Sequence, residues 1–299
     1  MAATRGLDRG RVVPEQVDAA YRQDLSDFVG VQQDAGLDLF SDGLLRWQDI
    51  FRPLAKAAGL PARTLTRWFD NNAFFRAPEL DGALQRINDI AAIVPEPDVP
   101  MPRVATLPSP YLFSRAAVTS RERNALMLDI AQNLLRPAAE QLAAAGCRIV
   151  HLEEPWLGFL GIDPGDRAPL ERALDAIATG LDADVVFHVY FGDAAAHLDW
   201  LRRLPVRAVG VDLVETDVTS LTGSWDIGLL AGCLDGRSSV LESEERTVDV
   251  LRHIAERVQP PVLYVSTSCE LEFLPRDVAA EKVRLLGAVV RQLGRAARC

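Results

Sequence analysis

Apolar and polar positions along the chain keep two rhythms, and after the first third they alternate regularly. Val17, Tyr21, Leu25, Phe28 and Val31 recur at helical spacing, predicting a helix that starts at Pro14 and stops at Gly36. The same spacing predicts helices over 46–58, 81–94, 121–145, 168–180, 194–203 and 244–258, and a long last one over 275–297. Short runs rich in β-branched residues predict strands beginning near 37, 103, 148, 184, 207, 228 and 262. Segment 66–80 (TRWFDNNAFFRAPEL) reads as irregular, aromatic and polar, and the Pro-rich VPEPDVPMP as a surface loop.

Strands 25 to 40 residues apart, each followed by a helix, imply a parallel sheet and most simply a (β/α)8 TIM-type barrel over 14–299, after an arm at 1–13. Only seven strands are legible, and residues 1–12 contain no convincing one. A barrel lacking its first strand leaves backbone groups unpaired along two edges. Either the N-terminal residues pair irregularly, or a partner chain fills the gap, or the barrel is open.

The composition narrows the partners. Asp and Glu number 42 against 32 Lys and Arg, a formal charge of −10, which argues against nucleic acid or an anionic membrane surface. No apolar run is long enough to span a bilayer, and no apolar targeting core opens the chain. Cys147, Cys233, Cys269 and Cys299 are scattered without close spacing, unlike a secreted disulfide framework, so the expectation is a cytoplasmic protein with reduced thiols.

Polar residues collect just beyond the predicted strands, where parallel α/β folds carry their chemistry. They are Asp42, Glu153, Glu154, His188, Asp193, Asp212, Glu215, Asp235, Arg237, Ser268 and Cys269. Glu154, Glu215 and Asp193 are assigned first to helix capping. Cys269 can be a metal ligand, a nucleophile or a small buried side chain. Arg237 and Asp235 suit either a local ion pair or recognition of a substrate carboxylate. Trp68 and Phe69 suit core packing or a binding surface. His151, His197 and His253 are read as non-catalytic.

Several segments, in order, resemble the cobalamin-independent methionine synthase family: SDGLLRWQD (41–49), RWFDNNAFFRAPEL (67–80), VHLEEPWL (150–157), HVYFGD (188–193), GVDLVET (210–216), CLDGRSSVLES (233–243) and STSCELEFLPRDVAAEKVRLL (266–286). The resemblance implies a short, single-barrel form of zinc enzymes that methylate homocysteine sulfur, with a corrinoid protein rather than folate as donor. It places His188, Cys269 and Asp212 as zinc ligands, with Tyr190 where the family pairs a Cys with the His and Cys233 nearby. It places Glu153 at an amino-acid-binding acid and Leu44 where the family has a Glu. Asp42, Asp235, Arg237 and Ser268 complete the expected substrate site. YFGD, DLV and LDGR resemble the family's non-catalytic N-terminal barrel as much as its catalytic one. The competing reading is a diverged, metal-free barrel serving as a subunit or binding module, or an enzyme that transfers or cleaves alkyl groups on another thiol.

Overall fold

A computed structural model describes residues 10–296. Six parallel strands in sequence order form one sheet: β3 (Arg103–Pro108), β4 (Cys147–Glu154), β5 (Asp184–Val189), β6 (Ala208–Asp212), β7 (Gly228–Leu234) and β8 (Leu263–Thr267). The sheet curls into a half-barrel, an incomplete TIM-type barrel. Preceding it are helix α1 (Pro14–Ala35), helix α2 (Arg52–Ala57) and an antiparallel hairpin of β1 (Ala62–Arg67) and β2 (Phe74–Pro78). The hairpin replaces the irregular segment expected there.

Register explains the division of labour between the two faces. His151 lies opposite Val186, Glu153 opposite His188, His188 opposite Gly210, and Gly210 opposite Leu230. Parallel neighbours point the same way, so these residues share the concave face. Ile149, Val186, Ala208 and Leu230 pack together low on that face, with Tyr264 and Val104 against them. The alternate residues, among them Val150, Leu152, Phe187, Val189 and Val211, are fully buried in the main core on the other face. At roughly 1.5–3 kcal/mol for each buried large aliphatic or aromatic side chain, that layer holds the sheet against its helices.

Those helices are α3 (Pro110–Ala116), α4 (Arg123–Ile130), α5 (Arg136–Ala144), α6 (Pro155–Leu160), α7 (Pro164–Ala178), the short α8 (Leu198–Leu201), α9 (Glu244–Val258) and α10 (Arg276–Ala296). The helix expected over 121–145 is α4 and α5 joined by a π-turn at Ala131–Leu135. Pro137 has no N–H for the Asn133 carbonyl, and its ring crowds that turn. The freed carbonyl accepts a bond from the Ile87 N–H at 3.0 Å.

That bond bears on the helix expected over 81–94, which does not form. Leu84, Ile87, Ile90 and Ile93 are buried at a spacing of three. The segment runs along α4, with the Leu84 N–H reaching Asp129 and the Ile87 N–H reaching Asn133. A spacing of three fitted a helix on paper, but the backbone bonds go to a neighbour.

The strand expected at 37–43 shrinks to one bridge, Phe40 opposite Arg103. Gly43 and Leu44, both with positive φ, then turn the chain away. Residues 1–9, where an opening strand was sought, lie outside the described residues. Helix α1 packs against α10, with the Arg291 guanidinium donating to the Ala35 carbonyl. Among the described residues no helix is long and apolar enough to cross a membrane.

Candidate active site at the carboxyl end of the sheet

The last residues of β4 show how alternation assigns roles. Glu154 faces the helices and accepts bonds from the Ser109 hydroxyl, the Leu112 N–H at 3.1 Å and the Leu157 N–H at 2.8 Å. It therefore steadies the N-terminal turns of both α3 and α6, the capping role expected. Burial raises its pKa to about 7 against these bonds.

Glu153 faces the mouth of the half-barrel. The Tyr190 hydroxyl lies 3.2 Å from Glu153 Oε2 and 2.6 Å from Glu270 Oε1. One phenolic proton cannot serve both oxygens, so a carboxyl proton must be shared within the group. Consistent with that, burial and then the Glu270 charge push the Glu153 pKa well up. Glu272, an exposed residue, is raised as well, by partial desolvation of its carboxyl and then by the Glu270 charge. No Lys or Arg pairs with Glu153, Glu270 or Glu272 among the described residues. The Glu153–Tyr190–Glu270 group is thus acidic, with no cation paired to it. Glu270 and Glu272 were not singled out in the sequence, although their spacing of two just past a strand was visible.

One layer lower, His188 Nδ1 and His151 Nε2 are 3.1 Å apart. Burial lowers His151 to about 4, and burial plus its neighbour pulls His188 well below the usual imidazole range. Both rings are therefore neutral at pH 7, and one shares a proton with the other. A Cβ on Gly210 would lie 2.5 Å from His188 Cδ2, so the imidazole occupies the space a β6 side chain would need. His188 Nε2 is buried without a partner among the described residues. His151, read as non-catalytic, thus belongs to the same cluster; its place two residues before Glu153 was the available signal.

The remaining expected site residues divide by what they already bind. Asp212 Oδ2 accepts from the Phe191 N–H at 3.2 Å, and Oδ1 from Val214 at 2.9 Å and Glu215 at 3.3 Å. Burial raises its pKa to about 6 against those bonds. The Cys269 thiol is 5% exposed, lies 3.6 Å from the Glu270 carbonyl, and is pushed up by burial and then by the Glu270 charge. Arg237 pairs with Glu215 and sits 5.2 Å above the Phe191 ring. Asp235 accepts from the Arg237 N–H at 2.8 Å, and Ser268 from the Gly236 N–H at 3.2 Å. Both therefore shape the loop after β7. Asp42 is not at this mouth. It follows the bridge at the foot of β3, bonds the Leu44 N–H at 3.0 Å, and has Glu96 and Cys147 as electrostatic neighbours. Cys233 packs outward among Ala231, Val248 and Leu285, away from the concave face.

The loop bearing Arg237 is anchored from behind. Lys282, fully buried, donates to Glu242 at 2.8 and 3.0 Å and to the Val240 carbonyl at 2.9 Å. Glu242 in turn accepts from the Asp235 N–H at 2.7 Å. Lys282→Met is expected to cost about 2 kcal/mol, below the full penalty for splitting a buried pair because Glu242 is partly solvated. A urea titration checks this.

The expected zinc ligands do not form a donor set. Among the described residues no three His, Cys, Asp or Glu side chains converge to hold an ion. Asp212 is taken up by backbone N–H groups, and Tyr190 supplies a neutral phenol. His188 Nε2 is the one unpartnered donor of the expected set. The residues present do not fit zinc.

Beside the mouth, a cavity of about 290 Å³ opens between the hairpin, α3 and α6, lined mainly by Trp68, Phe69, Phe75, Leu112, Trp156 and Phe159. Phe69 and Phe191, at φ 50° and 68°, hold their rings 5.8 Å apart and join this cavity to the mouth.

Comparison with known proteins fits this barrel. The family model for the cobalamin-independent synthase N-terminal domain matches residues 48–259. The chain belongs to the cobalamin-independent synthase family. The match is to the N-terminal-domain model, the barrel that the motifs resembled alongside the catalytic one. A methionine synthase from Sulfolobus acidocaldarius is 24% identical over 92% of this chain and 82% of its own length. A 5-methyltetrahydropteroyltriglutamate–homocysteine methyltransferase from Corynebacterium efficiens is 32% identical over 81% of this chain. The chain spans 32% of that longer relative. In structure, a B12-independent methionine synthase from Shewanella sp. W3-18-1, in complex with selenomethionine, superposes with a TM-score of 0.73. At 20% identity, over 96% of this chain and 92% of that one, it shows the shared fold.

Proposed function

We propose that the chain is a methyltransferase of the methionine-synthase type, with a small α-amino acid bearing a thiol, such as homocysteine, as acceptor. The observation that carries this reading is the buried Glu153–Tyr190–Glu270 group at the mouth of a barrel from this family. Carboxyls without a cation suit a ligand ammonium, which would supply the missing positive charge and the protons for charge-assisted bonds. Arg237, at the same rim and paired with Glu215, carries the right sign for a substrate carboxylate. The named relatives, methionine synthases and homocysteine methyltransferases, support methyl transfer to a thiol. No step is assigned to zinc, because the donor set does not fit.

A second reading has its own support. Glu153, His188, Tyr190, Asp212 and Cys269 are all almost fully enclosed. A closed mouth without a converging set of metal donors among the described residues, and an N-terminal-domain match, suit a binding module without chemistry of its own. Incubation with L-homocysteine and either methyltetrahydropteroyltriglutamate or a methylated corrinoid, followed by measurement of methionine, separates the two. Methionine formed with either donor, and lost in Glu153→Gln, is the expected result. Homocysteine binding with no product from either donor would leave the module.

A further inference from the structure

We infer that this chain does not hold the metal centre that the family resemblance implies, and that the Tyr190 side chain stands where the second ligand on β5 would be. The inference rests on the family assignment and on hydrogen bonding at the mouth, and it holds whether or not the proposed methyl transfer occurs. In the arrangement the resemblance implies, two residues on one strand face the same ion, and their spacing of two makes this possible. In this chain those residues are His188 and Tyr190, and both do face inward. The Tyr190 side chain, 1% exposed, fills the space between the His188 ring, 5.2 Å away, and the Phe191 ring, 4.7 Å away. Its hydroxyl is committed to Glu270 and Glu153. A neutral phenol donating to carboxyls is no substitute for a thiolate.

Each other expected donor has found a protein partner. Three backbone N–H groups occupy Asp212, His151 occupies His188 Nδ1, and the Glu270 carbonyl faces the Cys269 thiol. A metal needs several free donors converging within coordination distance, and only His188 Nε2 remains free among them. What an ion would organise is organised instead by Tyr190, which ties β5 to the segment after β8 and brings Glu153 of β4 to the same point. The exchange is also consistent in charge: the acids are reconciled by shared protons rather than by a cation.

The test reads metal directly, without turnover. The full chain is expressed in zinc-supplemented medium, purified without chelator, and assayed for bound metals by elemental analysis. Cobalt(II) is then titrated in and followed by its visible ligand-field and thiolate charge-transfer absorption. The wild-type chain is expected to carry far less than one zinc per molecule and to give no such bands. Tyr190→Cys is expected to raise zinc affinity on the order of tenfold or more, with thiolate–cobalt absorption appearing. Circular dichroism establishes that the variant is folded, and the wild-type measurement needs no variant at all. One tightly held zinc in the wild-type protein, lost in His188→Ala, would overturn the inference. So would a folded Tyr190→Cys protein that binds zinc no better than wild type.

Discussion

Gly158→Ala is expected to lower the unfolding free energy by about 3 kcal/mol or more. Gly158 lies on α6 where the helix crosses the chain leaving β5. A Cβ there would fall deep inside the van der Waals shell of the Tyr190 carbonyl, and one on Gly192 would collide with the Gly158 carbonyl. Both obstacles are backbone, so no rotamer change relieves them and α6 must lift away. The same displacement moves Tyr190, whose hydroxyl joins Glu153 to Glu270, so ligand binding at the mouth should suffer with stability. Gly165→Ala, at a helical glycine with nothing within 4 Å of the added carbon, is the control and should stay within about 0.5 kcal/mol. Urea titrations of the two variants decide the matter. An unchanged midpoint for Gly158→Ala would mean that α6 and β5 do not meet as described.

The second large effect is an inverted pH dependence of stability. Burial raises Glu154 from 4.5 to about 7 and Asp212 from 3.8 to about 6, and carries Glu153 well above its ordinary value. Between each pair of values the folded chain holds more protons than the unfolded chain. Stability must therefore rise as pH falls through that window. For Glu154, fully enclosed, the span is worth about 3 kcal/mol between pH 8 and 4.5.

Two histidines oppose the trend. His151, lowered from 6.5 to about 4, and His188, pulled well below the usual imidazole range by burial and then by His151, stay neutral in the fold while the unfolded chain protonates. Their contribution reduces stability below pH 6.5, and below about pH 4.5 they outweigh the acids, which by then are protonated in both states. Exposed carboxyls with lowered values, Asp81, Glu122, Glu140 and Asp217, add to that loss on the acid side. Melting temperature should peak near pH 5 and lie clearly below that peak at pH 8. Glu154→Gln should flatten the slope between. A melting temperature that falls steadily from pH 8 to 5 would contradict the burial of these acids.

Where one rhythm dominated, the elements followed from the sequence. Helices α9 and α10 and the starts of strands β4 to β8 lie within a residue of the spacing-based expectation, because apolar periodicity and packing agree there, although β5 and β6 end three or four residues earlier than expected. Segment 81–94 went astray because Leu84, Ile87, Ile90 and Ile93 fit two periods, and Asn133 decided between them from across the fold. The hairpin at 62–78 was hidden because β1 is fully exposed and carries no alternation to read.

At the mouth, Glu153 and His188 were legible from their places at the ends of predicted strands, and Tyr190 from the family resemblance. Their partners were not: Glu270 and His151 acquire meaning only when β4, β5 and the end of β8 curl together. Asp212, Asp235 and Ser268 were visible as rim residues, yet the backbone N–H groups whose bonds they accept come in part from chain that the fold brings to them. Asp42 was misplaced because the strand carrying it breaks off after one bridge.

Calorimetric titration of L-homocysteine into the wild-type chain, Glu153→Gln and Glu270→Gln tests the acidic mouth most directly. The expected result is one molecule bound per wild-type chain, with each glutamine variant binding at least about tenfold more weakly, as loss of a charge-assisted bond requires. Equal affinity in all three proteins would show that the Glu153–Tyr190–Glu270 group does not receive the substrate ammonium.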